Sequence, residues 1–149
     1  MFCGGFILLA TNTCREYNNY MLTAVSSFSG ISVSSLQEAR TFYVDTLQLP
    51  LKDDTMGLLL ELPGGGQLFI YEKPNHVPAE FTVLNFVVEN INDTIDHLVN
   101  DHGIQFERYE NLPAPQDERG VLRGKAANQG PDIAWFKDPA GNVLALIED

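Results

Sequence analysis

The stretch that decides the fold lies close to the C-terminus and reads Trp135-Phe136-Lys137-Asp138-Pro139-Ala140-Gly141-Asn142-Val143-Leu144-Ala145-Leu146. The pair Asp138-Pro139 ends one apolar run, and the pair Gly141-Asn142 comes directly before another. Asp-Pro and Gly-Asn are strong turn signals, and two apolar runs that flank such a turn are typical of a hairpin. The stretch therefore predicts two neighbouring antiparallel strands at the end of the chain.

A similar arrangement of turn and strand occurs earlier, which indicates an internal repeat. Pro63 and Gly66 precede the apolar run 68–71, in the same way as the proline and glycine of the C-terminal turn precede the run 143–146. Each copy also opens with a strand that leads into an amphipathic helix. The predicted strands lie at 25–33, 51–52, 57–62 and 67–72 in the first copy, and at 81–88, 104–109, 133–137 and 143–147 in the second, with 121–126 as a further candidate.

Each predicted helix has a recognisable boundary signal. Ser35 precedes the first helix and Glu38 follows three residues later, which is the spacing of a capping box. The second helix spans about 92–102 and ends at Gly103, a residue type that commonly terminates helices. The order strand-helix-strand-strand-strand, present twice, predicts an α+β fold of two βαβββ modules, about 23–73 and 80–149, within one domain of residues 21–149. A ferredoxin-like α+β domain is the structural alternative.

The first twenty residues are patterned differently from the rest. The apolar run Phe6-Ile7-Leu8-Leu9-Ala10 is shorter than the roughly 20 residues of a membrane span, and no Lys or Arg precedes it as in a secretory signal. We interpret residues 1–20 as a variable leader outside the domain, with Met21 as a candidate start; a leader that docks on the domain is the alternative. Both cysteines, Cys3 and Cys14, lie in this segment, so neither disulfides nor a thiolate metal site is expected in the domain.

The composition limits the classes of partner. The net charge is -11 at pH 7, with 44% hydrophobic and 19% charged residues. A strongly acidic protein is a poor partner for nucleic acid or for an anionic membrane. A neutral or cationic small molecule suits this charge better than an anionic one, and the expected location is the cytoplasm.

The C-terminal hairpin, together with Ala39-Arg40-Thr41-Phe42-Tyr43 and Leu47 in the first predicted helix, resembles the vicinal-oxygen-chelate superfamily. This superfamily groups glyoxalase I, extradiol dioxygenases, fosfomycin-resistance enzymes and bleomycin-resistance proteins, and the likeness covers about 23–149. It implies that the two modules form a curved mixed sheet around a cavity and that the chain pairs as a homodimer. It also implies that any metal ligands come from the first and last strand of each module.

The four places that carry metal ligands in the metal-dependent relatives are apolar here. The resemblance puts these places at Phe28, Ile70, Val83 and Ala145. Metals of this family's type need imidazole, carboxylate or amide donors. A register error of one residue in any strand leaves the conclusion unchanged, because the neighbouring positions contain no His, Asp or Glu. The resemblance therefore predicts a protein without a metal or another cofactor.

Side chains alternate along a strand, so treating these four places as inward predicts the lining of the cavity. Glu72 is its one acid, and it either pairs with a cationic ligand, acts as a general base, or is a solvated carboxylate at the rim. Asn85 either orients a ligand or satisfies nearby backbone groups, and Trp135 either stacks on a planar ligand or belongs to the core. Phe136 is expected to pack against a helix. The predicted ligand-binding residues are Phe28, Ser32, Ile70, Glu72, Val83, Asn85, Trp135 and Ala145.

The segment 111–129 is a second candidate region, because it is long and contains local positive charge. Its three cations either meet an anionic substrate group or are solvated surface. The three histidines are interpreted as surface residues. The cations are Arg119, Arg123 and Lys125, and the histidines are His76, His97 and His102.

Two classes of function follow from these observations. The leading interpretation is a metal-free small-molecule-binding protein, similar to the bleomycin-resistance type, that sequesters a planar neutral or cationic compound. The alternative is a glyoxalase-like lyase or dioxygenase-like enzyme that acts on a small oxygenated substrate. That alternative needs a metal held at other residues, or acid–base chemistry by Glu72. The resemblance alone does not separate the two, because one fold hosts many functions.

Overall fold

The computed structural model describes residues 22–149. The predicted leader and both cysteines lie outside the described residues, so the boundary between leader and domain stays a prediction. Within 22–149, none of the helices combines the length and the apolar composition that a membrane crossing requires.

The first module has the predicted order of strand, helix and three strands. Its elements are β1 Ser29–Val33, α1 Leu36–Arg40, a π-helix over Thr41–Thr46, β2 Leu51–Asp53, β3 Leu58–Glu61 and β4 Gln67–Glu72. The strands form one sheet in the order β1-β4-β3-β2, with β1 parallel to β4. The capping prediction is confirmed, since the hydroxyl of Ser35 accepts a hydrogen bond from the backbone N–H of Glu38 at 3.3 Å.

The second module repeats this plan with one more short helix. Its elements are β5 Thr82–Val87, α2 Ile91–His102, β6 Val121–Arg123, α3 Gly124–Ala127, β7 Asp132–Lys137 and β8 Val143–Glu148. The strand order is β5-β8-β7-β6, with β5 parallel to β8. Gly103 ends α2 with a left-handed φ of 66°. The predicted α+β fold of two βαβββ modules is therefore confirmed, and its strands form two four-stranded sheets.

One strand prediction in the second module is wrong, and another is confirmed with shorter bounds. Residues 104–109 form only an isolated bridge, between Phe106 and Phe136. Beside it the Glu107 backbone N–H donates to the Trp135 carbonyl, and the Arg108 guanidinium bonds to the carbonyls of Asp117 and Glu118. The strand predicted at 121–126 ends at Arg123. At Gly124, where α3 begins, the backbone of Gly130 and Pro131 approaches so closely that a Cβ would collide with their carbonyl oxygens.

The core lies between the sheets and the helices, and both modules contribute to it. Phe136 on β7 is fully buried. Its ring lies 6.4 Å from that of Phe42 in the first module and 5.5 Å from that of Phe106. The expectation that Phe136 packs against a helix is confirmed, since Phe42 belongs to the π-helix.

A buried polar network joins the modules at the turn between β7 and β8. Oδ2 of Asp138 accepts hydrogen bonds from the Tyr43 hydroxyl and from the Asn142 side-chain amide, both at 2.9 Å. Oδ1 of Asp138 accepts a further one from the Asn142 backbone N–H at 2.8 Å. The Asn142 amide also donates to the carbonyl of Ser32 on β1 at 3.0 Å. We call Tyr43, Asp138, Asn142 and the Ser32 carbonyl the junction network. It makes the C-terminal turn a link between modules as well as a hairpin.

The junction network makes stability depend on alkaline pH. Burial first, and then the charge and hydrogen bond of Asp138, raise the pKa of the Tyr43 hydroxyl far above its ordinary value of 10.0. Because this pKa is raised on folding, the stabilisation is complete below pH 10 and is lost as pH rises, when only the unfolded chain releases the proton. We compare the free energy of unfolding of the parent with that of Tyr43→Phe. The difference between them should fall by about 1.4 kcal/mol between pH 9 and pH 11. Urea unfolding of both proteins measures this, and a constant difference over that range contradicts it.

Candidate functional site

Each sheet has one face packed against its helices and a second face directed away from them. In parallel strands, residues paired in register point to the same side. Ser32 pairs with Tyr71, and Gly30 pairs with Phe69. These residues alternate with the buried Ile31, so they lie on the side opposite α1. We call this side, formed by Phe28, Gly30, Ser32, Phe69 and Tyr71, the open face of module one.

Three aromatic rings follow one another along this face. The rings of Phe28 and Phe69 are 6.2 Å apart and meet edge to face, and those of Phe69 and Tyr71 are 6.1 Å apart and nearly parallel. Phe28 and Tyr71 are 62% and 41% exposed. The Phe69 ring lies over Gly57, where an added Cβ would be 2.9 Å from the ring. The aromatic row is therefore exposed to ligands and supported from below by backbone.

Two of the predicted ligand-binding residues lie on the opposite side of the sheet. Ile70 pairs with Ile31, and both are buried in the core. The carboxylate of Glu72 accepts a hydrogen bond from the backbone N–H of Leu36 at 2.9 Å, at the start of α1. The prediction that Ile70 and Glu72 face the cavity is wrong. Glu72 satisfies a helix N-terminus, where a negative charge is stabilised.

The second module explains this error. Glu148 on β8 accepts from the backbone N–H of Ile91 at 2.7 Å, as Glu72 does from that of Leu36. The two glutamates are thus equivalent positions of the repeat, which sets Ala145 equivalent to Phe69 instead of Ile70. Phe69 is apolar too. Hydrogen bonds from the Ile91 N–H and from Lys125 hold the pKa of Glu148 below its usual range, so both helix starts carry a carboxylate.

The open face of module two is the side of its sheet opposite α2, and it includes Asn85, Val87, Trp135, Lys137 and Ala145. Asn85 pairs with Ala145, and Ala145 pairs with Trp135, so three of the predicted residues form one row across the sheet. Asn85 is exposed, Trp135 is half-buried and Ala145 is fully buried beneath them. The register places this row on one side of the sheet, and its role in ligand binding stays a prediction.

Val83 lies at an irregularity of β5, and its predicted facing is wrong. The register with β8 shifts between Thr82 and Leu84, and Val83, the extra residue, packs against the core. Thr82 takes the outward place instead. Its hydroxyl accepts a hydrogen bond from the indole N–H of Trp135 at 3.2 Å. A bulge of this kind reverses which side chain reaches a face, and the sequence carries no sign of it.

The charges on the open face of module two are paired. Lys137 Nζ lies 2.9 Å from the Glu107 carboxylate. Tyr109 meets Trp135 edge to face at 5.6 Å. Partial burial, and then the charge of Glu107, raise the pKa of the Tyr109 hydroxyl, while Lys137 opposes this shift. Trp135 is therefore held by Thr82 on one side and by Tyr109 on another.

The residues present do not fit a metal ion of the family's type. With the corrected repeat alignment and the bulge in β5, the four outward places are Phe28, Phe69, Thr82 and Ala145. None offers an imidazole, carboxylate or amide, and the Thr82 hydroxyl already accepts a hydrogen bond from Trp135. Within 22–149, no three His, Cys, Asp or Glu side chains come close enough together to hold a metal.

The cations of the segment 111–129 are all engaged by carboxylates. Arg123 bonds to Asp117 at 2.7 Å and to Asp132 at 3.0 Å, and Arg119 bonds to Asp96 at 2.8 Å. Lys125 bonds to Glu148 at 3.0 Å. Partial burial acts against the charge of Asp117, but bonds from the Val121 N–H and Arg123 hold the pKa of its carboxyl below the usual range. These contacts support the solvated-surface alternative over an anion site.

One histidine was misinterpreted from the sequence. His97 is an exposed residue paired with Asp101 on α2. His76 is instead half-buried between the modules. Its Nδ1 lies 2.9 Å from the Ser32 hydroxyl, and its Nε2 lies 3.0 Å from the Ala140 carbonyl. The position in a proline-rich join gave no signal of this contact, which depends on the distant turn at Ala140.

A cleft of about 250 Å³ lies between the modules on the other side of the sheets, and apolar side chains dominate it. Its walls include Leu49 of the first module and Phe86, Leu98, Phe136 and Leu146 of the second. The predicted cavity lining does not include these residues.

The two βαβββ modules can now be compared with known proteins. A family model described as the Glyoxalase/Bleomycin resistance protein/Dioxygenase superfamily matches residues 23–146. The chain belongs to this superfamily. The resemblance predicted from the C-terminal hairpin is confirmed. No curated protein matches the chain in sequence.

Three solved structures share the fold. A glyoxalase family protein from Enterococcus faecalis is 26% identical, with 81% of this chain and 94% of that chain covered and a TM-score of 0.56. TnmS3, an antibiotic binding protein from Streptomyces sp. CB03234, is 21% identical, with 85% and 98% covered and a TM-score of 0.55. FosX, a fosfomycin resistance protein from Listeria monocytogenes, is 11% identical, with 86% and 95% covered and a TM-score of 0.60.

Proposed function

We propose that this superfamily member is a small-molecule-binding protein that sequesters a planar, neutral or cationic compound on its open faces without a metal. The observation that carries the proposal is the exposed aromatic row of Phe28, Phe69 and Tyr71. Aromatic rings offer flat apolar area, and their faces attract cations as well as neutral ring systems. The structural likeness to an antibiotic binding protein is consistent with this class of ligand.

The electrostatics of the faces agree with a neutral or cationic ligand. The open face of module one carries no charged side chain, and on module two Lys137 is neutralised by Glu107. The net charge of -11 surrounds both faces with a negative potential. Since Glu72 caps α1, cation preference rests on the aromatic rings and on this overall field.

The single tryptophan gives a direct test. Trp135 is the only tryptophan of the chain, so quenching of its fluorescence reports occupancy of the open face of module two. We expect carbazole, a neutral planar probe, and proflavine, a cationic one, to quench it and to raise the melting temperature. Calorimetric titration, which does not depend on the tryptophan, should show that Tyr71→Ala and Trp135→Ala each weaken binding by roughly five- to tenfold, the loss of one aromatic contact.

The matched control is Val99→Ala, because Val99 is a partly exposed residue of α2, on the other side of the sheet. It should leave both probe affinities unchanged. If the parent, Tyr71→Ala and Trp135→Ala bind the probes with equal affinity, the open faces are not the binding site. The enzyme alternative, glyoxalase-like or dioxygenase-like, would be favoured by a different result. That result is a stoichiometric metal in protein purified without chelator, lost together with an activity when EDTA is added.

We also propose that the chain works as a homodimer in which a second copy packs against the outer edge of β5 and leaves the aromatic row open to the ligand. Val87 on β5 is 75% exposed among the described residues. The outer edge of β5 has no strand partner in the described sheet. An exposed apolar side chain beside an unpaired edge is typical of an interface.

Val87→Asp tests the homodimer. A buried unpaired carboxylate is costly, so the variant should be monomeric in light scattering at a concentration where the parent is dimeric. Val99→Asp, on the outer side of α2, should remain dimeric. A monomeric parent at tens of micromolar would contradict the dimer. The cytoplasmic location stays a prediction from sequence.

A further inference from the structure

We infer that Ser32 is a fixed hydrogen-bond acceptor on the open face of module one, so the site selects planar ligands that carry an N–H or O–H donor. This inference rests on the proposed function and narrows its ligand class. It is carried by the contacts of His76, which determine where the Ser32 proton lies.

The tautomer of His76 follows from its two partners. Nε2 lies 3.0 Å from the Ala140 carbonyl oxygen, which only accepts hydrogen bonds. Nε2 must therefore carry the proton and donate it. In the neutral imidazole the other nitrogen, Nδ1, then has no proton and accepts. Ser32 Oγ lies 2.9 Å from Nδ1, so the Ser32 hydroxyl donates its only proton to His76.

A hydroxyl whose hydrogen is already engaged in a hydrogen bond has only its lone pairs left for other partners, so it can accept but not donate. Ser32 pairs in register with Tyr71, and both belong to the face with the aromatic row. Gly30 lies two residues earlier on the same face and has no side chain to cover Ser32. A ring system stacked on Tyr71 therefore meets an oxygen that accepts and does not donate.

The site should therefore prefer ligands with a hydrogen-bond donor over ligands with an acceptor. A ligand that offers a donor gains a hydrogen bond at Ser32. A ligand that offers an acceptor leaves two lone pairs opposed and loses the water that hydrated it. His76 is a positioning residue here, since it acts on the ligand only through the proton of Ser32.

Three tricyclic probes of similar shape separate these cases. Carbazole carries a ring N–H donor, acridine a ring nitrogen acceptor, and dibenzothiophene neither. At mildly alkaline pH, where acridine is neutral, calorimetric titration of the full chain should give the affinity order carbazole, dibenzothiophene, acridine. We expect carbazole to bind about tenfold more tightly than acridine.

Two variants test the mechanism. Ser32→Ala removes the hydroxyl and should bring the three affinities to within about twofold of one another. His76→Phe keeps a ring at that position but accepts no proton, so Ser32 becomes free to donate. Acridine should then gain at least about fivefold relative to carbazole. A purely structural His76 would lower all three affinities in parallel.

The outcomes separate this inference from the proposed function. If the three probes bind the parent equally, or if Ser32→Ala keeps the preference, the acceptor role of Ser32 is overturned. If at the same time Tyr71→Ala weakens all three probes, the proposed function stands without it. If no probe binds, or Tyr71→Ala changes nothing, the proposed function fails and this inference fails with it.

Discussion

Asp138→Ala should lower the free energy of unfolding by about 3–5 kcal/mol. The substitution removes the acceptor for three hydrogen bonds at once, from the Tyr43 hydroxyl and from the backbone and side-chain N–H groups of Asn142. Both partners are buried, so their donors lose water and gain nothing. At roughly 2–4 °C per kcal/mol for a chain of this length, the melting temperature should fall by about 6–20 °C.

The matched control is Asp54→Ala. Asp54 also accepts from a side chain, Arg40 at 2.9 Å, but the two partners are 55% and 45% exposed. An exposed ion pair contributes little, so this variant should stay within about 0.5 kcal/mol of the parent. Thermal and urea unfolding measure both variants. A loss below about 1 kcal/mol for Asp138→Ala would mean that water replaces the missing carboxylate.

Phe136→Ala should be similarly destabilising, by about 3–5 kcal/mol. The ring is fully buried and touches Phe42 of the first module and Phe106 of the second. Removing it takes away contacts on both sides of the module boundary and leaves a cavity beside the 250 Å³ cleft that Phe136 lines. Urea unfolding gives the size of the loss.

Phe136→Leu is the control, because it keeps most of the apolar volume and should cost clearly less. Benzene provides a second readout. An apolar cavity that opens into an existing cleft can be filled from solution, so benzene should raise the melting temperature of Phe136→Ala more than that of the parent. Equal shifts for the two proteins would mean that the core has collapsed into the space.

Much of the fold is local information and was predictable from sequence. Ser35 caps α1, Gly103 ends α2, and the Asp-Pro and Gly-Asn pairs mark the last hairpin. Each of these signals acts through the backbone within a few residues, so no distant contact is needed to interpret it. The repeat was visible for the same reason, since both modules use the same order of such signals.

The assignment of faces was harder, and one strand shows why. β4 has apolar residues on both sides, with Leu68 and Ile70 in the core and Phe69 and Tyr71 outside. Because residues 68–71 are all apolar or aromatic, alternation along the strand does not show which side of it is buried. The contact that identifies the buried side is the bond from the Leu36 N–H to Glu72, which belongs to the tertiary structure.

The candidate site divides along the same line. By itself the sequence determined the two modules, the family, and the boundary residues Ser35 and Gly103. Only the tertiary structure decided that Ile70, Glu72 and Val83 leave the open faces, that Phe69 and Tyr71 occupy one, and that His76 contacts the Ser32 hydroxyl. The physical reason is distance along the chain: Ser32 and His76 are 44 residues apart, and His76 and Ala140 are 64 apart. Contacts at that separation depend on how the modules pack, which no local pattern encodes.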